Sequence, residues 1–199
     1  MSQTKIKICG LFRPEDIAAV NQSHPDYVGF VFAKSRRQVS PQQAKILVDR
    51  LAPGITPVGV FVDAPISQVI DLLQTQVIQV AQLHGGESEA YIEKVKAITH
   101  RSVIKSIVVQ KPEDILLWQN SCADFLLLDY GAGDGQSFDW ALTAHCDRPY
   151  FLAGGIRAAN LLQALALAPY GIDISSGAET DGLKDAAKIS DLVATVRQS

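Results

Sequence analysis

The sequence predicts a single compact α/β domain over residues 1–199, folded as a (β/α)₈ TIM barrel. Three observations predict it. Apolar, β-branched runs alternate with amphipathic stretches eight times along the chain, as βα units of a parallel sheet do. Several runs are apolar throughout, as strands buried on both faces must be. At 199 residues the chain is close to the lower limit of about 200 for this fold, so its loops are short and its insertions few.

The first run, residues 5–9, ends in Cys9 and a turn glycine, Gly10; Glu15 and Asp16 after Pro14 then put negative charge in a first helical turn, where the macrodipole favours it. The second run, 27–32, leads on to Arg36 and Arg37. Ser40, Pro41 and Gln43 combine a capping residue, a first-turn proline and a capping-box partner ahead of the apolar face Ala44, Leu47, Val48 and Leu51. Run three covers 57–62 and run four 77–83, ending at Gln82, Leu83 and His84. Glu87 and Glu89 after Gly86 are expected in the first turn of the next helix. Runs five to eight cover 102–108, 125–129, 150–153 and 171–174. The last helix, roughly Asp185 to Arg197, sets Ile189, Leu192, Val193 and Val196 on one face.

Composition bounds the function. A formal net charge of −3 and a pI near 5.8 leave no broad basic face for nucleic acid, so the expected partner is a small molecule whose anionic groups are met by a local cluster. Three cysteines at wide spacing fit neither a disulfide framework nor a zinc site and point to a reducing cytoplasm. No stretch reads as a signal peptide or a membrane span. No metal or cofactor is expected, and the oligomeric state is left as monomer or homodimer.

Barrels of this kind carry their chemistry where the strands end. On that rim the sequence places Cys9, Arg36, Arg37, His84 and Asp129. Runs seven and eight end in Gly154 and Gly155, and in Ser175, Ser176 and Gly177, two adjacent loops whose backbone N–H groups and hydroxyls suit a phosphate. Ordinary turn chemistry would explain the same short motifs.

KICGLFRPED (7–16), GFVFAKSRRQVS (29–40), VGVFVD (58–63), QLHG (82–85), LLLD (126–129), FDW (138–140), LAGGI (152–156) and DISSGAETDGLKD (173–185) together resemble the phosphoribosylanthranilate isomerase family of tryptophan biosynthesis, in the family's order and over nearly the whole chain. The resemblance implies an Amadori rearrangement of N-(5-phosphoribosyl)anthranilate to 1-(2-carboxyphenylamino)-1-deoxyribulose 5-phosphate, without metal or redox cofactor. Cys9 and Asp129 match the family's base and acid, and Arg37 its arginine for the anthranilate carboxylate. Both protonation states must then be tuned, because free cysteine titrates at about 8.5 and free aspartate at about 3.9. Lys7, about 7 Å along the strand on the face of Cys9, would stabilise a thiolate; alternatively Asp173 on strand eight neutralises Lys7 as a buried pair and weakens that pull. Arg36, Phe12, Asp63 and Asp134 depart from the family pattern. Two alternatives stand beside the isomerase: a non-catalytic phosphosugar-binding barrel, and the related histidine-pathway aminoaldose isomerase.

Overall fold

The structure, a computed structural model, describes residues 3–129 and 139–199. Eight parallel strands close into a barrel in chain order: β1 (Lys5–Cys9), β2 (Tyr27–Val31), β3 (Thr56–Phe61), β4 (Val80–Leu83), β5 (Ser102–Val108), β6 (Phe125–Asp129), β7 (Tyr150–Leu152) and β8 (Gly171–Ile174), with β8 returning to pair with β1. The expected (β/α)₈ architecture is the one observed. Outside the strands lie α1 (Pro14–Ser23), α2 (Pro41–Val48), α3 (Ile66–Gln74), α4 (Glu89–Thr99), α5 (Pro112–Leu116), α6 (Leu161–Leu165) and α7 (Ala186–Gln198), with a 3₁₀ helix, Trp140–His145, between β6 and β7. A short antiparallel pair, β9 (Glu179–Thr180) and β10 (Leu183–Lys184), follows β8. No helix among the described residues is long and apolar enough to cross a membrane.

Local chemistry explains the boundaries. Ser40 accepts from the Gln43 amide while the Gln43 side chain accepts from Ser40 N, and Pro41 occupies the first turn, where its missing N–H costs nothing. Asp185 accepts from the amides of Ala187 and Lys188 and starts α7, whose Ile189, Leu192, Val193 and Val196 are buried. Leu51 lies beyond the end of α2, in the turn that follows it. Strand four is shorter than its apolar run: Val77 and Ile78 are buried in the connection, after α3 ends and Gln76 turns into the left-handed region (φ 59°). Glu87 also departs from expectation. It precedes α4, whose N-cap is Ser88, and it is buried.

Strand alternation splits the apolar residues between two cores. Val58, Val80, Ile104, Leu127 and Phe151 pack inside the barrel, closed below by Tyr27, Phe125 and Tyr170. Ile6, Ile8, Phe30, Leu126 and Leu128 belong to the larger core that includes the buried faces of the helices. Because β1 presents Ile6 and Ile8 outward, Lys7 and Cys9 face the interior. The fold thus places a lysine and a thiol above an apolar plug.

Candidate active site

One cavity of about 280 Å³ opens at the C-terminal ends of the strands. Cys9, Arg37, Asp129, Gly154, Gly155, Ser175 and Ser176 all line it, together with His84, Gln82 and Asp173. Of the residues expected on the rim, Gly177 and Arg36 are absent from its wall. A side-chain carbon at Gly177 would collide with the Ile156 carbonyl and crowd Arg157, so its glycine lets the loops after β7 and β8 pack together. Gly154 and Gly155 take left-handed backbone angles (φ 84° and 64°), which few other residues adopt. The apolar wall comes from Val31, Val60, Val62 and Ile156.

Cys9 is buried and sits against Lys7. The β1–β2 register sets Cys9 beside Gly29, where any β-carbon would lie 2.6 Å from Cys9 Sγ and 3.2 Å from Lys7 Nζ. The β1–β8 register pairs Lys7 with Asp173, and their side chains form a buried ion pair at 2.9 Å. Both alternatives for Lys7 therefore hold in one arrangement: the ammonium is shared between the carboxylate and the thiol. Burial works against its charge, yet Asp173 and Cys9 together raise its pKa above the ordinary value. For the thiol, burial is the largest influence and pushes the pKa up; Lys7 pulls it down, Asp173 pushes it up again, and Lys184 pulls it down. The resting group is held as a thiol.

A test separates these influences. Asp173→Asn removes a repelling carboxylate and leaves the Cys9 thiolate as the one anion paired with Lys7 among the described residues, so the pH midpoint of Cys9 alkylation is expected to fall by about one unit or more. Lys7→Met is expected to raise it. Rates of iodoacetamide reaction against pH measure both, and an unchanged midpoint in Asp173→Asn would refute the account.

Asp129 ends β6, three strands from β1 around the ring. Its Oδ2 lies 3.5 Å from His84 Nε2. The Gln82 carboxamide nitrogen and His84 Nδ1 lie 3.1 Å apart, so Nε2 is the ring nitrogen that faces Asp129. Behind them the buried Glu87 accepts from the amides of Asp63 and Gly85, each at 2.9 Å, and pairs with Lys105 at 3.1 Å. It thereby ties the loops after β3 and β4 together, a role no helix-dipole argument suggests. Asp63 adopts φ 49° there, and its carboxylate accepts from Gly86 N.

Arg37 reaches the cavity across Gly10, where a β-carbon would collide with its Cδ. Its guanidinium is held by Glu179, Nε to Oε1 at 2.7 Å and Nη2 to Oε2 at 2.9 Å. Arg36 grips the same carboxylate at 2.6 Å from a half-exposed position, and buried Lys184 does so at 2.7 Å. Burial opposes the charge on Glu179, but the hydrogen bonds from Arg37 and Lys184 outweigh it and hold the carboxyl down at about 2. Sequence reasoning missed Glu179 and Lys184 as partners of the rim arginines. The substituted Phe12 packs against the outer core rather than the cavity, and Asp134 lies outside the described residues.

The matching family model, N-(5'-phosphoribosyl)anthranilate (PRA) isomerase, spans residues 6–195. The chain belongs to the phosphoribosylanthranilate isomerase family. A relative from Endomicrobium trichonymphae, named N-(5'-phosphoribosyl)anthranilate isomerase, is 42% identical over 97% of this chain and 98% of its own length. The crystal structure of phosphoribosyl anthranilate isomerase from Thermus thermophilus superposes with a TM-score of 0.87 at 35% identity, covering 98% of this chain and 99% of that one. A phosphoribosyl anthranilate isomerase crystallised with reduced 1-(o-carboxyphenylamino)-1-deoxyribulose 5-phosphate superposes at 0.86 with 30% identity, over 98% of this chain and 100% of that one. As a member of the phosphoribosylanthranilate isomerase family the chain is an enzyme of tryptophan biosynthesis.

Proposed function

We propose that the chain converts N-(5-phosphoribosyl)anthranilate to 1-(2-carboxyphenylamino)-1-deoxyribulose 5-phosphate with Asp129 as general acid and Cys9 as general base. The observation that carries this assignment is their placement at the ends of β6 and β1 on one cavity. Asp129 protonates the furanose ring oxygen, the C1–O bond breaks, and the nitrogen lone pair forms the imine. Cys9 then removes the C2 proton, and the electron pair moves toward nitrogen to give the enolamine, which tautomerises to the ketone. Separate strands suit two groups that act on different atoms. The base acts from its thiolate form, which the Lys7 ammonium favours and which burial and Asp173 oppose.

The anionic ends of the substrate meet complementary walls. The loops carrying Gly154, Gly155, Ser175 and Ser176 offer donors to the phosphate, with Gly177 letting them approach one another. The forked guanidinium of Arg37 suits the planar anthranilate carboxylate. The reading requires one small-molecule partner and is compatible with a cytoplasmic monomer or homodimer.

Purified protein mixed with freshly generated substrate should quench its anthranilate fluorescence rapidly as the product forms. A folded protein that leaves the fluorescence unchanged would overturn this substrate assignment and leave the phosphosugar-binding barrel or the histidine-pathway aminoaldose isomerase standing.

A further inference from the structure

The hairpin after β8 is a built device rather than a loop end. Its register sets Lys184 opposite Glu179, and Lys184 Nζ also donates to the Ser175 carbonyl at 2.9 Å, fastening the hairpin to the β8 loop. Glu179 is buried and lies outside the cavity wall, so it does not face a ligand there. A bare carboxylate toward a doubly anionic substrate would repel it. Its contacts run instead to three cations, of which Arg37 alone lines the cavity. The fork is gripped on the Nε and Nη2 side, and among the described residues Nη1 makes no hydrogen bond.

We propose that Glu179 is a positioning residue that fixes the plane of the Arg37 guanidinium, leaves Nη1 directed to the ligand, and so sets selectivity for a carboxylated over an uncarboxylated arylamine. The inference rests on the reading that Arg37 takes the aromatic carboxylate. Two features pre-shape the same fork. The missing side chain at Gly10 admits the arginine stem, and Arg36 closes on the second oxygen of Glu179, packed so tightly over Gly182 that a β-carbon there would strike its guanidinium. A free arginine would lose rotamer entropy on binding; one already clamped loses little.

The test uses two ligands on the folded chain: the reduced product, 1-(2-carboxyphenylamino)-1-deoxyribitol 5-phosphate, and its phenylamino counterpart without the carboxylate. Wild type is expected to prefer the first by about 10²-fold, the value of a charge-assisted hydrogen bond from a held guanidinium. In Glu179→Gln that preference should shrink to about threefold, while affinity for the uncarboxylated ligand changes by less than about threefold. Glu179→Asp, which keeps the charge but draws it back by one methylene, should fall between them and carries the test if the glutamine variant does not fold. A folded Glu179→Gln that keeps the wild-type preference, or that loses both ligands equally as a merely structural lesion would, overturns the proposal. Absence of the preference in wild type itself would instead defeat the assignment of Arg37.

Discussion

Cys9→Ala is expected to lose about 10³-fold or more in kcat while KM changes little, because a general base contributes to the transition state and hardly to ground-state binding. The environment explains why no neighbour substitutes for it. Lys7, the nearest titratable group, has its pKa raised by Asp173 and Cys9 and so remains a proton carrier of the wrong charge. Asp173 is committed to Lys7 at 2.9 Å. Alanine leaves a small apolar void where Sγ packs against Gly29, so the fold should survive. Steady-state kinetics with circular dichroism as the folding control measures this, and a variant retaining a tenth of wild-type kcat would exclude Cys9 as the base. Cys9→Ser, with a much less acidic hydroxyl, is expected to be nearly as inactive.

Asp129→Asn should cost about 10²- to 10⁴-fold in kcat, since a carboxamide has no proton to deliver to the ring oxygen. The loss should depend on the leaving group. An analogue whose ring is already open bypasses protonation, and the variant should isomerise it at close to the wild-type rate. His84 gives a second measure of the same step. With Nε2 at 3.5 Å from Oδ2, it steadies Asp129 without replacing it. His84→Gln is therefore expected to lose about tenfold, far less than Asp129→Asn. Equal losses on closed and open substrates in Asp129→Asn would assign the residue to the later proton transfer instead.

Much of this was legible in residues alone. Cys9, Asp129 and the Gly154–Gly155 and Ser175–Ser176 pairs were marked by position, because an apolar run that stops at a polar residue in a βα unit puts that residue on the functional rim. Strand periodicity put Lys7 on the face of Cys9. Cap chemistry located the start of α2, and the one-sided apolar face marked α7. What misled was burial without pairing: Val77 and Ile78 look like strand yet fill the core from a connection, and Glu87 looks like a helix-start charge yet serves as a buried anchor. Gly177, equally at home in an anion loop and a tight packing contact, was resolved only by its neighbour Ile156.

The order of apolar runs, turns and caps determined the barrel and the ends of its strands, since period and punctuation are local properties of a chain. Charge partnership was decided by tertiary structure. Closure of β8 onto β1 gives Asp173 to Lys7, and the hairpin after β8 brings Glu179 across more than a hundred residues to Arg36 and Arg37. Coulomb interactions depend on distance and burial through space, and neither can be read from separation along the sequence.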